Sequence, residues 1–297
     1  MTTKIVAVVP VFGAPDTLPQ TIARLATQVD AVVLVDDGSH TVESMRFGDS
    51  VFVISLPVNA GIATALNVAI DRARELGATH VITLDQDSEL GGDHVARLLE
   101  LLERGASDGA RVAGAVPGVV GGAPVLLGTD GEPFDPIQSG QLLPITLFDE
   151  IGGFNTELFI DAVDSEFTIR ARQAGYRFLV DPELEMAHAL GEAVPLHVMG
   201  RPLILLGKPR HVLYHSPWRT YYMVRNSVWL ARRYGHGDPE WMRRRNRKMT
   251  EMLVGGILLA PDRMTQLRAA RAGWKDGTKG TLGRIPEQLR LQFRRRV

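Results

Sequence analysis

Residues 31–39 read Ala-Val-Val-Leu-Val-Asp-Asp-Gly-Ser, an apolar run that ends in two acidic residues and a glycine. A short valine-rich run bounded by a turn signal is typical of a buried strand in a parallel sheet. The same arrangement recurs at residues 79–88, where an apolar run passes into Leu84-Asp85-Gln86-Asp87-Ser88. The sequence therefore predicts buried strands that place carboxylates at their carboxyl ends.

Around these two runs, β-rich segments alternate with segments of helical spacing. This alternation is typical of βαβ units built on a mainly parallel sheet. The predicted strands are 5–11, 31–36, 51–56, 79–85 and 111–117, and the predicted helices are 16–27, 62–76 and 93–104. We therefore expect a doubly wound α/β fold.

The second half of the chain is less regular. Residues 119–144 are rich in glycine and proline and predict long loops. We then predict a helical segment at 148–151, a Gly152-Gly153 break, a short strand at 158–160 and a helix at 164–174. The chain from Pro217 onward is predicted to be mostly helical. We predict one domain over 1–215, with a division near residue 117, and a helical basic region over 216–297.

The composition restricts the kind of protein. With 297 residues, 45% hydrophobic and 23% charged, the chain has an ordinary globular composition. It has no cysteine, so disulfides and thiolate metal sites are excluded and any metal must be bound by oxygen or imidazole. The sequence starts without a secretory leader, and its longest apolar segment, 252–260, falls short of the roughly 20 residues that cross a bilayer. We therefore expect a cytoplasmic protein.

Charge is distributed unevenly along the chain. Residues 241–297 contain 15 Lys and Arg against 4 Asp and Glu, a net charge of +11, which leaves −12 on residues 1–240. The segments 241–248 and 267–275 mix basic and apolar residues as interfacial helices do. We expect attraction to anionic lipid, and a solvated helical surface is the alternative. A nucleic-acid partner is not expected, because no recognised module is present and the body is acidic.

The acidic pairs could bind a phosphorylated ligand. Ligands of open α/β sheets bind beyond the carboxyl ends of the strands. Asp85 and Asp87, separated by one residue on an extended strand end, should point to the same side, where Mg²⁺ or Mn²⁺ and a diphosphate would compensate their charge. Asp37 could accept hydrogen bonds from a nucleobase or a ribose. Ordinary turn or cap residues are the alternative for both pairs, and neither G-x-G-x-x-G after the first strand nor a P-loop motif occurs.

A third acidic cluster lies at Asp161, Asp164 and Glu166. Asp164 falls where the predicted helix begins, so a plain N-cap is one interpretation. The acidic residues stand among apolar ones, and a carboxylate in such a place could serve as a general base.

The motifs of the chain and their order resemble those of the GT-A glycosyltransferases of family 2, and within that family the bacterial rhamnosyltransferase-like branch. The resemblance covers nearly the whole chain and departs at Gly13, where many relatives have Asn. It rests on 9–12 (VPVF), 35–39 (VDDGS), 59–63 (NAGIA), 65–67 (ALN), 84–88 (LDQDS), 152–155 (GGFN), 158–161 (LFID), 163–166 (VDSE), Arg170, 175–176 (GY), His188, Gly191, 219–222 (RTYY) and 225–226 (RN).

The resemblance implies that 1–215 is a catalytic domain with a nucleotide-binding half at 1–117 and an acceptor half at 118–215. It also implies a role for each matching residue. Asp164 would be the catalytic base, and Asp87 and His188 would bind Mg²⁺ or Mn²⁺. A lone histidine is also often a satisfied core residue. The implied donor-nucleotide residues are Pro10, Phe12, Asp36, Asp37, Asn59, Gly61 and Asp85. The implied acceptor or supporting residues are Asp161, Glu166, Arg170 and Arg225.

The function implied by the resemblance is inverting transfer of a sugar from a nucleoside diphosphate to a hydroxyl. The string Leu-Asp-Gln-Asp-Ser favours L-rhamnose from dTDP-rhamnose, and galactofuranose or glucose donors are alternatives. The acceptor would be a glycan or a polyprenyl-diphosphate-linked glycan of cell-envelope polysaccharide synthesis, met at the inner face of the plasma membrane through the basic C-terminal helices. A non-catalytic regulator that binds sugar nucleotides, and a homo-oligomer, are left open.

Overall fold

The computed structural model describes residues 2–187, 192–195, 197–198, 201–202, 204–205, 208–209 and 211–293. The chain forms two compact units, Met1–Ala189 and Leu190–Val297. The first contains one large sheet with flanking helices, and the second is dominated by helices.

The first unit alternates strands and helices along most of its length. Its strands are β1 (Ile5–Val11), β2 (Ala31–Asp36), β3 (Val51–Ser55), β4 (His80–Thr83), β5 (Glu89–Leu90), β6 (Val112–Val120), β7 (Ala123–Pro124), β8 (Gln141–Pro144) and β9 (Arg177–Ala187). Its helices are α1 (Leu18–Leu25), α2 (Ile62–Glu75), α3 (His94–Ser107), α4 (Ile145–Ile151) and α5 (Val163–Gln173), with one 3₁₀ turn at Thr156–Leu158.

The sheet of the first unit is mixed, in the order β3-β2-β1-β4-β8-β6-β9-β5, with β7 paired to β6. The strands β3, β2, β1 and β4 run parallel, as the βαβ pattern predicts. The strand β8 enters antiparallel between β4 and β6, and β9 runs parallel to β6. The α/β prediction is confirmed, and the carboxyl ends of β1, β2 and β4 meet at one edge of the sheet.

Burial of the central strands explains why their sequences are continuously apolar. Every residue of β1 and β2 is buried, because helices cover the sheet and leave no face for water. The helix α1 contributes Leu18, Ile22 and Leu25 at spacings of four and three. Each fully buried leucine stabilises the fold by roughly 2 kcal/mol relative to an exposed one.

Two predictions for the second half of the chain were wrong. Residues 158–160 do not form a strand: a 3₁₀ turn occupies Thr156–Leu158, and Phe159 then takes a φ of +67° that no strand allows. Residues 119–144 are not loop throughout, because β7 and β8 lie within them. The strand β8 is four residues long and is stabilised by pairing with β4. This long-range contact cannot be predicted from a glycine- and proline-rich sequence.

The second unit consists of short hairpin strands followed by helices, as predicted for the chain from Pro217 onward. Its strands are β10 (Glu192–Pro195), β11 (His197–Val198), β12 (Arg201–Pro202), β13 (Ile204–Leu205), β14 (Lys208–Pro209) and β15 (His211–Tyr214), and its helices are α6 (Pro217–Tyr234), α7 (Pro239–Leu259), α8 (Arg263–Lys279) and α9 (Glu287–Gln292). No helix in the described part of the chain is long and apolar enough to cross a membrane.

The helices α6 and α8 pack closely. Gly273 allows this, because a Cβ atom at that position would lie 2.4 Å from the carbonyl oxygen of Tyr221. The Tyr221 hydroxyl donates to Asp276 at 2.7 Å and ties the two helices together. Arg225 is buried between them, over the rings of Tyr221 and Tyr222.

Candidate active site

Asp36 and Asp37, at the end of β2, are buried and held by hydrogen bonds. Ser39 donates its backbone N–H and its hydroxyl to Asp36 Oδ1, each at 2.7 Å. Burial raises the pKa of Asp36, but the bonds from Ser39 and from the backbone of Val42 and His40 outweigh it, and the net pKa lies below the usual value. The Asp36 carboxylate is therefore ionised and shapes the turn.

Asp37 supports the start of α2. Its two carboxylate oxygens accept the backbone N–H groups of Ala60, at 2.6 Å, and Gly61, at 2.9 Å. Gly61 has a φ of +95°, and a Cβ atom there would lie 2.5 Å from the carbonyl oxygen of Phe159. That oxygen accepts the Ile62 N–H at 3.0 Å. Asp37 and Gly61, both predicted as donor-nucleotide residues, thus bring residue 159 against α2.

The segment Asp85 to Ser88 is a turn, and the extended strand end assumed for Asp85 and Asp87 is wrong. The strand β4 ends at Thr83, and the Ser88 N–H donates to the Asp85 carbonyl at 3.1 Å. The side-chain alternation of a strand therefore does not apply here. Asp85 is half-buried and Asp87 is exposed.

Gln86, between these two acids, joins the turn to the end of β1. Its Oε1 accepts the Phe12 N–H at 2.9 Å, and its Nε2 donates to the carbonyl oxygens of Phe12 and Gly13 at 3.3 and 3.4 Å. The Phe12 side chain stays 56% exposed at this edge. A flat aromatic ring held on a fixed backbone is suited to stacking against a nucleobase.

Gln138 and Ser139, which precede β8, contact the same turn. Gln138 Nε2 donates to Asp85 Oδ1, and the Asp85 N–H donates to Ser139 Oγ at 2.9 Å. The hydroxyls of Ser139 and Ser88 lie 2.8 Å apart. The sequence analysis did not assign Gln86, Gln138 or Ser139 to the site. No spacing in the sequence relates Gln138 and Ser139 to Asp85.

The third acidic cluster surrounds the start of α5, with a backbone that L-residues rarely adopt. Phe159, Asp161 and Ala162 have φ values of +67°, +63° and +61°. Such strain is held by surrounding contacts and often marks a functional segment. The helix begins after Ala162, so Asp164 lies inside the first turn and is not the N-cap residue; its Oδ1 accepts the N–H of Ser165 at 2.8 Å.

Glu166 and Arg170 hold the segment that precedes the strained turn. Arg170 Nε and a terminal nitrogen donate to the two Glu166 oxygens at 3.0 and 2.9 Å, and Glu166 is only 2% exposed. Arg170 also donates to the carbonyl oxygens of Ile151, Gly152 and Gly153, at the end of α4. The contacts of this pair support the fold around α5.

The other predicted residues are placed as follows. Pro10 is buried in β1, and Asn59 is half-buried just before α2. Arg225 belongs to the second unit, where it donates to Asn226 Oδ1 at 2.8 Å and to the carbonyl oxygen of Gly283 at 2.5 Å. His188 lies outside the described residues.

The oxygen donors at this edge suit a hard cation. Within the described residues, no group of three or more His, Asp or Glu side chains is arranged to hold a metal ion. Mg²⁺ needs no such group, since it is usually bound by one or two carboxylates together with substrate phosphates. The exposed Asp87 carboxylate fits that mode of binding, and the absence of cysteine favours a hard metal.

An α/β sheet that gathers carboxylates at the carboxyl ends of its strands can bind a ligand at that edge. The family described as "Glycosyl transferase family 2" matches residues 6–126. The "dTDP-rhamnosyl transferase RfbF" of Shigella flexneri is 27% identical in an alignment 242 positions long that covers 71% of this chain and 74% of that protein. The chain is a glycosyltransferase, similar over residues 6–126 to glycosyl transferase family 2 and over most of its length to a rhamnosyltransferase.

Solved structures confirm the fold over almost the whole chain. The structure of "S. aureus TarS 1-349 in complex with UDP" has a TM-score of 0.57 at 15% identity and covers 94% of this chain and 92% of that one. The corresponding complex with UDP-GlcNAc has a TM-score of 0.56 at 18% identity, covering 98% and 84%. At these identities the likeness concerns the fold alone.

Proposed function

We propose that this glycosyltransferase transfers L-rhamnose, with inversion, from dTDP-rhamnose to a hydroxyl of a glycan or polyprenyl-diphosphate-linked glycan. The observation that carries the choice of donor is the 27% identity, over 71% of the chain, with a dTDP-rhamnosyl transferase. Such a reaction would belong to cell-envelope polysaccharide synthesis.

The proposed reaction is one displacement at the anomeric carbon. Asp164, half-buried in the first turn of α5, takes the proton of the acceptor hydroxyl. The acceptor oxygen then attacks the anomeric carbon from the face opposite the diphosphate. The sugar–phosphate bond breaks, and the nucleoside diphosphate leaves with the electron pair. A single base and a single displacement predict inversion of the anomeric configuration.

A panel of nucleotide sugars tests the donor. The purified protein is mixed with dTDP-rhamnose, UDP-galactofuranose, UDP-glucose and UDP-GlcNAc, and thermal stabilisation is measured with each. We expect dTDP-rhamnose to raise the melting temperature most and to be the sugar transferred. Preferential transfer of another sugar would reject the rhamnose assignment and leave the enzyme class standing.

The variant Asp164→Asn tests the base. It should retain donor affinity within a few-fold and lose at least about a hundredfold in turnover, the usual contribution of a positioned acid or base. The control is Asp149→Asn, an exposed acid of α4 that pairs with Arg74. Turnover of Asp164→Asn equal to that of the control would contradict the assignment.

The Asp87 carboxylate would hold the divalent cation, Mg²⁺ or Mn²⁺. When bound, the cation would neutralise the charge that develops on the diphosphate. We expect Asp87→Ala to abolish the dependence of nucleoside-diphosphate binding on Mn²⁺, measured by calorimetry with and without the metal. The control is Asp93→Ala, which removes an exposed carboxylate six residues further along. Metal dependence that persists in Asp87→Ala would exclude this role.

The Phe12 ring would stack on the nucleobase, while Pro10, Asn59 and Asp36 would shape the pocket around it. Because the Phe12 ring is 56% exposed, its removal should cost little stability. Loss of stacking on one base is worth roughly 1–3 kcal/mol, so Phe12→Ala should weaken nucleotide binding about tenfold or more. The control is Val58→Ala, an equally exposed apolar residue.

The basic C-terminal region is proposed to bind the anionic membrane that carries the acceptor. Met264, Leu267, Arg271 and Trp274 recur at spacings of three and four, so they share one face of α8. The three apolar side chains are at least half exposed. Interleaved apolar and basic residues on one exposed face are typical of interfacial helices.

Vesicle flotation tests membrane binding. We expect the protein to float with vesicles that contain phosphatidylglycerol and not with pure phosphatidylcholine. Arg271→Glu should reduce flotation, whereas Arg24→Glu, an equal charge change on the first unit, should not. Absence of flotation with the phosphatidylglycerol vesicles would instead support a plain solvated surface.

A further inference from the structure

Gln138 lies at the edge of the site without a role in the reaction described above. It is only 6% exposed, although its side chain is an amide. Its Nε2 donates to Asp85 Oδ1, and since a carboxylate can only accept, this contact fixes the orientation of the amide. A hydrogen bond to a charged group is among the stronger polar contacts in proteins.

The backbone around Gln138 is fixed by further bonds to the same strand end. Thr83 Oγ1, in β4, donates to the Gln138 carbonyl oxygen, and the Gly140 N–H donates to the Thr83 carbonyl oxygen at 2.7 Å. Ser139 Oγ accepts the Asp85 N–H. These bonds fix the backbone of Gln138 relative to Asp85, so the amide is held within hydrogen-bonding distance of the carboxylate.

The same short segment also contacts the helix of the proposed base. Asp135 Oδ2 accepts the hydroxyl of Ser165 at 2.9 Å, and Ser165 follows Asp164 in α5. Residues 135–139 thus join the turn that carries the donor carboxylates to the first turn of α5. A displacement of this segment would disturb donor and base together.

We propose that Gln138 is a positioning residue that holds the Asp85 carboxylate in the orientation needed to bind the sugar-nucleotide donor. This inference rests on the proposed function, because the role of Asp85 as a donor contact follows from that function. Gln138 itself touches Asp85 and acts through it. Its loss should therefore raise the KM for the donor and leave the KM for the acceptor unchanged.

The test uses Gln138→Met, which keeps length and fills the buried space but cannot donate. We expect a donor KM and a nucleoside-diphosphate Kd about ten- to a hundredfold higher, the usual effect of losing a hydrogen bond to a charged group. The matched control is Gln141→Met. Gln141 is 2% exposed, and its amide donates to the backbone oxygens of Pro136 and Ile137.

A double-mutant cycle separates positioning from general loosening of the segment. In the Asp85→Ala background, where no side-chain oxygen is left to accept the Gln138 hydrogen bond, Gln138→Met should change the donor KM less than twofold, because residues that act as a unit are not additive. Fully additive changes in the donor KM would overturn the proposal, and so would an equal rise in the donor KM for Gln141→Met. In either case, transfer by the wild-type enzyme would still support the proposed function. A wild-type enzyme that binds no nucleoside diphosphate would overturn both.

Discussion

His94, the first residue of α3, makes the stability of the first unit depend on pH. The side chain is fully buried. The carbonyl oxygens of Gly140 and Glu185 lie near the ring, but within the described part of the chain neither ring nitrogen has a partner at hydrogen-bonding geometry. Burial is the largest cause of a pKa lowered from 6.5 to about 4. The folded protein therefore keeps His94 neutral through most of the mildly acidic range.

The sign and size of the effect follow from the two pKa values. Between pH 6.5 and pH 4 the unfolded chain takes up a proton on His94 that the folded chain refuses, so the free energy of unfolding falls as the pH falls. Each pKa unit corresponds to about 1.4 kcal/mol. The contribution of His94 is complete above pH 6.5 and declines by about 3 kcal/mol on acidification to pH 4.

Urea unfolding of the wild type and of His94→Gln, measured from pH 7 to pH 4, checks this expectation. Circular dichroism is the suitable probe, because the tryptophans Trp218, Trp229, Trp241 and Trp274 all lie in the second unit. The advantage of the wild type over the variant should shrink by about 3 kcal/mol on acidification. The control is His40→Gln, an exposed histidine. A constant difference between wild type and His94→Gln would refute the reasoning.

Two substitutions test the backbone around the site. Gly61→Ala should lower the free energy of unfolding by about 2 kcal/mol and impair transfer, because of its φ of +95° and the carbonyl 2.5 Å from the new Cβ; Gly77→Ala, with φ +80° and nothing within 4 Å, is the control in thermal unfolding. Arg170→Lys should cost about 2 kcal/mol, since lysine cannot bond both oxygens of the buried Glu166 and three carbonyls at once. Arg72→Lys, in an exposed pair, should cost less than about 1 kcal/mol, and equal losses at both arginines would contradict this.

The sequence alone predicted the elements whose signal is local. The strands β1 and β2 read as continuous apolar runs because both faces of the sheet are covered, and α2, α3 and α5 follow from helical spacing. The acidic residues at the strand ends were visible for the same reason, since they come directly after those runs. Their assigned roles stay predictions.

The tertiary structure decided how the acidic residues are held. The contact of Gln138 with Asp85 joins residues 53 positions apart, and that of Gln86 with Phe12 joins residues 74 apart. The turn at Asp85 and the positive φ values of Phe159, Asp161 and Ala162 likewise depend on long-range packing. Periodicity records only which face of an element is buried. The partner that satisfies a buried polar group is set by the fold as a whole, because any distant segment brought alongside can supply it.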